Sequence, residues 1–464
     1  MLLAWLLCLS AGFLVGCQGR RSGAAELKEI YAWVSEGAVD TRTPVVVIPG
    51  ILGSKLEDRQ GEKVWGAFTR GAVDPDGPEG ARTFALPMEL GTPLAELRDG
   101  VQATAVLDVL VADVGFFHGL SMAAYVGILT VLEVGGFRDL SLGESGAVEY
   151  GEGHYTCFQF PYDWRRDISE SAALFAGFVS STQDYVREVR GIDAREPVRI
   201  DVVAHSMGGL VLRYYLRYGA QALPADGSLP ELTWEGARHV RNAILVGTPN
   251  GGSVEALDDL LTGMNLHPLF PFYRPSLLGT FPSIYQLMPR PRHRLVVDAQ
   301  NEALDLYDPG LWEELGWGLV NPDIDKALAW LLPDRSEAER MQVAREHLAK
   351  CLMRAEQLHR ALDLAVAPPA GTYLALFAGD GKPTLGGWTV EEDGSWEEAE
   401  EQAGDGTVTR SNALLDERQG GVWEIGLRSP IHWDRVQFLS ADHLGLTSAP
   451  EFIDNMLYQL LERP

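Results

Sequence analysis

The chain has 464 residues, 46% of them apolar, and sets 65 acidic against 38 basic side chains for a formal net charge of −27. That apolar content supplies a substantial core and excludes general disorder, while the length accommodates two or three average domains or one large α/β domain with insertions. Nucleic-acid binding is excluded too, because its affinity comes from Lys and Arg neutralising phosphates, and the same charge repels anionic lipid headgroups.

The apolar start runs from Met1 to Gly16 and closes in Leu14-Val15-Gly16-Cys17. A short apolar segment, small residues and then a cysteine resemble a bacterial lipobox. This predicts a lipoprotein-type signal peptide over residues 1–16, acylation of Cys17, and a tether or lead-in over residues 17–42. The expected location is an exported, membrane-anchored bacterial lipoprotein at the outer membrane or cell surface, since acylation with more than one chain holds even an acidic protein at a bilayer. The alternatives are an ordinary secretory signal, giving a periplasmic or secreted protein, and a transmembrane anchor, for which the run is shorter than the ~20 apolar residues a span needs. No Lys or Arg precedes the run, and the first charges are Arg20 and Arg21.

Beyond Thr43-Pro44, the β-branched run Val45 to Ile48 predicts a buried parallel strand stopped by Pro49-Gly50. Similar runs recur at Val198–Ala204, Ala243–Val246 and Tyr373–Ala378, with a helical pattern at Met207–Tyr218 between two of them. Strands alternating with helices predict a mainly parallel sheet flanked by helices. The alternation breaks over residues 254–370, which opens with the aromatic, proline-rich stretch around Phe270 to Pro275 and is expected to be a helical cap. Within it, Ser336 with Glu339 forms a capping box that starts a helix running towards Asp363. Asp393-Gly394 between Trp388-Thr389-Val390 and Trp396 signals a hairpin, and Val436–Leu439 precedes a terminal helix. The core is thus expected in two parts, residues 43–253 and 371–464, around the cap.

Ala204-His205-Ser206-Met207-Gly208 lies between a strand and a helix, where a serine on a sharp turn exposes its hydroxyl at the sheet edge. Small residues two before and two after the serine relieve crowding in that turn, and the following helix points its positive end at the site of a developing anion. Ser206 is therefore the expected nucleophile, and its base and acid should follow in the order Ser, acid, His. His443, after the last strand, is the expected base, ahead of His432. His359, on the long cap helix, reads as a surface or core residue. Two acids compete: Asp380, directly after a strand, and Asp405, in Gly404-Asp405-Gly406-Thr407-Val408. Composition does not choose between them. Among the cysteines, Cys157 and Cys351 remain for a possible disulfide in an exported protein, although their separation in sequence carries no proximity. No metal-binding spacing stands out and no cofactor is expected. The acidic run Glu397 to Glu401 reads as a solvated loop.

Five patches, in order, resemble the lecithin:cholesterol acyltransferase family, which includes lysosomal phospholipase A2 and bacterial lipase-like relatives of the α/β-hydrolase fold. They are Val47–Leu56, Phe160–Arg165, Ala204–Gly209, Gly247–Ser253 and Gly404–Ser411 with His443 beyond. The resemblance implies Asp405 as the triad acid, and the backbone N–H groups of Leu52 and Met207 as the oxyanion hole. It implies a serine-dependent hydrolase or acyltransferase acting on lipid esters. Asp163 and Arg165 read as a buried ion pair bracing a loop beneath the site. The competing expectation is a catalytically silent surface lipoprotein that keeps the fold for binding.

Overall fold

Six strands, most of their residues apolar, build the central sheet of the computed structural model: β1 (Val45–Ile48), β2 (Cys157–Gln159), β3 (Ile200–His205), β4 (Val240–Val246), β5 (Tyr373–Gly379) and β6 (Arg435–Leu439). The structure describes residue 31 and residues 41–463, except 69–73, 108, 115–116, 124–125, 152, 266–270 and 423. Cys17 and the signal and tether expected before residue 41 lie outside the described residues. The strand order is β6-β5-β4-β3-β1-β2, and every pairing is parallel.

Both faces of the sheet are covered at its centre, which is why strands such as β1 and β5 are continuous apolar runs rather than alternating ones. Val46 and Ile48 of β1 point into one core, and Val45 and Val47 into the other. The first core is closed by α1 (Ile168–Arg190) and α2 (Met207–Tyr218), and the second by the C-terminal helix, α6 (Pro450–Leu461), through Phe452, Met456 and Leu457. Asp167 caps α1 by accepting from the Ser169 amide, and Gly191, at φ 62°, ends it.

Between β4 and β5 the chain forms α3 (Val254–Thr262), several short helices, and α4 (Glu337–Leu362), whose Ser336–Glu339 capping box is present. Leu352, Ala355 and Leu358 of α4 belong to the same core as α2, so this insertion packs onto the sheet's helical layer, while Leu319, Ile324, Leu328, Val343 and Ala344 form a smaller cluster with Met88. The aromatic stretch contributes mainly to that packing, with Tyr273, Phe281 and Tyr285 buried. The hairpin at Asp393-Gly394 is joined to the cap: Val296–Asp298 pairs in parallel with Trp388–Val390, which pairs with Trp396–Glu398. A small antiparallel sheet of Ser54–Glu57, Lys63–Trp65 and Gln102–Val106 lies between β1 and β2 in sequence. α5 (Arg410–Leu414) precedes β6.

Cys157 and Cys351 are separate buried thiols in cores on opposite faces of the sheet, so the disulfide does not form. Among the described residues no helix is long and apolar enough to cross a membrane.

Candidate active site

Parallel pairing aligns the carboxyl ends of the strands, with Ile48 beside Ala204, His205 beside Val246 and Gly379 beside Leu439. The loops leaving this edge carry every residue of interest, as expected for open α/β sheets. Ser206 takes φ 53° and ψ −128°, a conformation that costs a non-glycine residue about 1–3 kcal/mol. Its backbone is held on both sides: Ser206 N donates to Val246 O at 2.8 Å, and Gly209 N donates to Ser206 O at 2.9 Å. The helix can turn away this tightly only because of the glycines. A Cβ on Gly208 would stand 2.4 Å from Pro49 O, and one on Gly209 would stand 2.0 Å from Thr248 Oγ1.

The Ser206 hydroxyl donates to His443 Nε2 at 2.9 Å, and His443 Nδ1 donates to Asp405 Oδ2 at 2.8 Å. Asp405 is buried, and its other oxygen accepts from the amides of Thr407 and Val408 at 3.0 and 2.7 Å. The His443 amide also donates to the Asp405 carbonyl, which fixes the two loops to each other. Asp380 is partly exposed and faces Arg410 at 3.9 Å. The reason Asp405, and not Asp380, meets His443 is topological. The chain leaves β5 through Lys382–Thr384, returns antiparallel through Gln402–Gly404, and so places Asp405 against the end of β5, where a Cβ on Gly379 would lie 2.5 Å from Asp405 Cβ.

Charge follows geometry. Burial would raise the Asp405 carboxyl, but attraction to His443 and hydrogen bonds from His443, Val408 and Thr407 outweigh it and hold the group below its ordinary value. Burial would likewise lower His443, yet the Asp405 charge and hydrogen bond, helped by Glu255 and Asp442, raise it. His205 is fully buried, and burial, together with repulsion from His443, pushes its pKa down to about 3. It is neutral, and its Nε2–H donates to the His443 carbonyl at 3.0 Å. His432 is exposed, and His359 is buried against Gln286 O and Tyr307.

Leu52 has φ 62° and its carbonyl accepts from Trp65 Nε1 at 2.7 Å; Met207 is the first residue of α2. Neither amide donates to a backbone acceptor among the described residues, leaving both N–H groups available beside Ser206. Sequence reading left Trp65 without a role. It stands in an aromatic cluster with Trp164, Phe84 and Tyr273 and fixes the loop that carries Leu52. The Pro161–Arg165 string braces the same loop from below: Tyr162 OH donates to Pro49 O, and Trp164 Nε1 donates to Ser54 O. Arg165 is completely buried and grips Asp163 at 2.8 Å and Asp99 at 2.7 Å, and its Nη1 donates to Phe84 O. Trp65→Phe keeps most of the packing and removes the indole donor. A kcat loss of roughly tenfold with little change in KM is expected from looser placement of the Leu52 amide if that amide receives an oxyanion; unchanged kcat in the folded variant would show that this contact does not serve it.

Ser206 and His443 open into a cavity of about 270 Å³ lined by Ile51, Leu52, Leu107, Met264, Leu278 and Leu287, with Trp65 and Trp164 at its side. An apolar chamber with a hydrogen-bonded serine and histidine in its wall has the dimensions and lining of a site for an apolar ligand. Glu255 and Asp259 are the acidic residues among its lining.

Residues 147–310 match the lecithin:cholesterol acyltransferase family. Among solved structures, the Tle4–Tli4 complex contains a chain similar to this one at 15% identity and TM-score 0.58, covering 91% of this chain and 98% of that one. Lipase 1 from Pelosinus fermentans aligns at 12% identity over 91% of this chain and 99% of its own, with TM-score 0.36. The lipase BlEst2 from Bacillus licheniformis aligns at 10% identity over 92% and 52%, with TM-score 0.35. No curated protein matches the chain in sequence. The parallel sheet, the strand–serine–helix turn inside the matched segment and the likeness to the Tle4 chain together give the chain the α/β-hydrolase fold, with residues 147–310 matching the lecithin:cholesterol acyltransferase family.

Proposed function

We propose that the protein cleaves or transfers acyl groups of lipid esters through Ser206, His443 and Asp405. The carrying observation is the continuous hydrogen-bonded line from the Ser206 hydroxyl through His443 to Asp405 at the floor of an apolar cavity. In this reading Ser206 Oγ attacks the ester carbonyl while His443 Nε2 takes its proton, and Asp405 orients the ring and stabilises the imidazolium. The carbonyl oxygen becomes an anion that the Leu52 and Met207 amides receive. His443 returns the proton to the departing alcohol, leaving an acyl-serine. Water or a second alcohol, deprotonated by His443, then releases the acyl group as a fatty acid or a new ester. Which acceptor wins depends on how far the cap excludes water.

Incubating the purified protein with phospholipid, triacylglycerol and a long-chain alcohol, then weighing the products, tests this. Free fatty acid or a new alkyl ester is expected. A folded protein that releases neither contradicts the proposal and favours a binding role for the same fold. The proposed setting is a membrane surface reached through an acyl anchor on Cys17. Mass spectrometry of the mature protein should find a diacylated N-terminal Cys17, and an unmodified terminus further along would replace the anchor by a simple secretory signal.

A further inference from the structure

Ser253 ends the loop that leaves β4 and caps α3, its Oγ accepting from the Glu255 amide at 3.2 Å. Capping uses only the acceptor side of the hydroxyl. Its hydrogen goes elsewhere: Ser253 Oγ donates to the Thr407 carbonyl at 2.6 Å, across 154 residues of chain. No other described group donates to that carbonyl.

The far side of the same peptide bond faces the acid. The Thr407 carbonyl and the Val408 N–H belong to one planar unit and point in opposite directions. The carbonyl meets Ser253, while the N–H donates to Asp405 Oδ1 at 2.7 Å, the shorter of the two amide bonds that this carboxylate receives. A single hydrogen-bonded line therefore runs from Ser253 through the Thr407–Val408 peptide to Asp405, His443 and Ser206. Fixing the carbonyl end of a rigid peptide fixes the tilt of its N–H end, and a hydrogen bond accepted by the carbonyl polarises the amide into a better donor. Two neighbouring bonds hold the same pair of segments together: Gly251 N donates to Asn412 O at 2.8 Å, and Asn250 Nδ2 donates to Ala413 O at 2.7 Å.

We propose that Ser253 is a positioning residue for the acid: through the Thr407–Val408 peptide it sets the Asp405 carboxylate against His443, which makes the start of α3 part of that support. The assignment rests on the proposed triad and deepens it. Asp405 stands outside the sheet, between Gln402–Gly404 and α5, where no strand neighbour fixes it. Burial disfavours its charge, and the amides of Val408 and Thr407 are among the contacts that offset this. Ser253 is itself buried, which keeps water from standing in for its hydroxyl.

The test is a double-mutant cycle on the full chain, read in kcat and KM with para-nitrophenyl butyrate. Ser253→Ala should lower kcat by roughly five- to tenfold, the effect of one hydrogen bond, and leave KM within about twofold. Ser253→Gly preserves most of the capping of α3 but lacks the donor, and should lose as much kcat as the alanine variant. Ser336→Ala, which weakens the cap of α4, should leave kcat unchanged. In the Asp405→Asn background, adding Ser253→Ala should cost less than about twofold, because the acid it positions is already disabled. Undiminished kcat in folded Ser253→Ala, or the same loss in both backgrounds, overturns the positioning role and leaves the triad standing. So does wild-type kcat in Ser253→Gly, which would reduce Ser253 to a cap, or a loss carried by KM, since Ser253 also lines the cavity and would then be a substrate contact. If Asp405→Asn alone costs nothing, the triad assignment falls and the positioning role falls with it.

Discussion

Replacing Ser206 with alanine is expected to lower lipid-ester cleavage by on the order of 10⁴- to 10⁶-fold while leaving the fold intact. The side chain is the nucleophile in the proposed reaction, and what remains without it is the modest help of oxyanion binding and substrate positioning. Folding should be little affected, because the contacts holding the elbow are backbone ones: Ser206 N to Val246 O and Gly209 N to Ser206 O. Relief of a strained non-glycine conformation is not expected either, since alanine keeps the Cβ at φ 53°. Unfolding temperature and kcat/KM measured on the same preparation check this. Substantial remaining activity would place the nucleophile elsewhere.

Asp405→Asn should cost about 10²- to 10⁴-fold in kcat, and Asp380→Asn should cost little. The first removes the charge that stabilises the His443 imidazolium and disturbs the tautomer that leaves Nε2 free to accept from Ser206. The second touches only a partly exposed carboxylate near Arg410. The pH profile adds a separate signature. Activity requires neutral His443, whose pKa is raised by Asp405, so wild-type activity falls as pH drops through that raised value. With asparagine at 405 the raising charge is gone, and the acid limb of the residual activity should move to lower pH. A large loss from Asp380→Asn, or an acid limb that stays in place in Asp405→Asn, would break the assignment.

These two aspartates also mark where the sequence stops being readable. Most of the parallel strands were legible because burial on both faces demands apolar runs such as Val45–Ile48, whereas the three-residue β2 is too short to give such a signal. Helices α2 and α4 were legible from local signals, the elbow before one and the Ser336–Glu339 box before the other. The acid was not legible from residue patterns alone. Its position depends on a hairpin that carries the chain out and back to β5, a long-range pairing that no local propensity encodes; the family resemblance, not composition, pointed to Asp405.

Other parts were hidden for related reasons. The strands at Ser54–Glu57, Lys63–Trp65 and Gln102–Val106 are short and mix polar with apolar residues, so they lack a periodic signal. Trp65 gains meaning only from the Leu52 carbonyl it reaches. The two cysteines looked available for pairing, and only the fold shows them on opposite sides of the sheet.

The most direct test of the central claim is covalent labelling with a fluorophosphonate, followed by peptide mapping of the full chain. The account predicts one adduct on Ser206, formed quickly in the wild type and far more slowly when His443 is replaced by alanine, since Nε2 no longer takes the hydroxyl proton. No adduct in well-folded protein, or an adduct on a different serine, would contradict it.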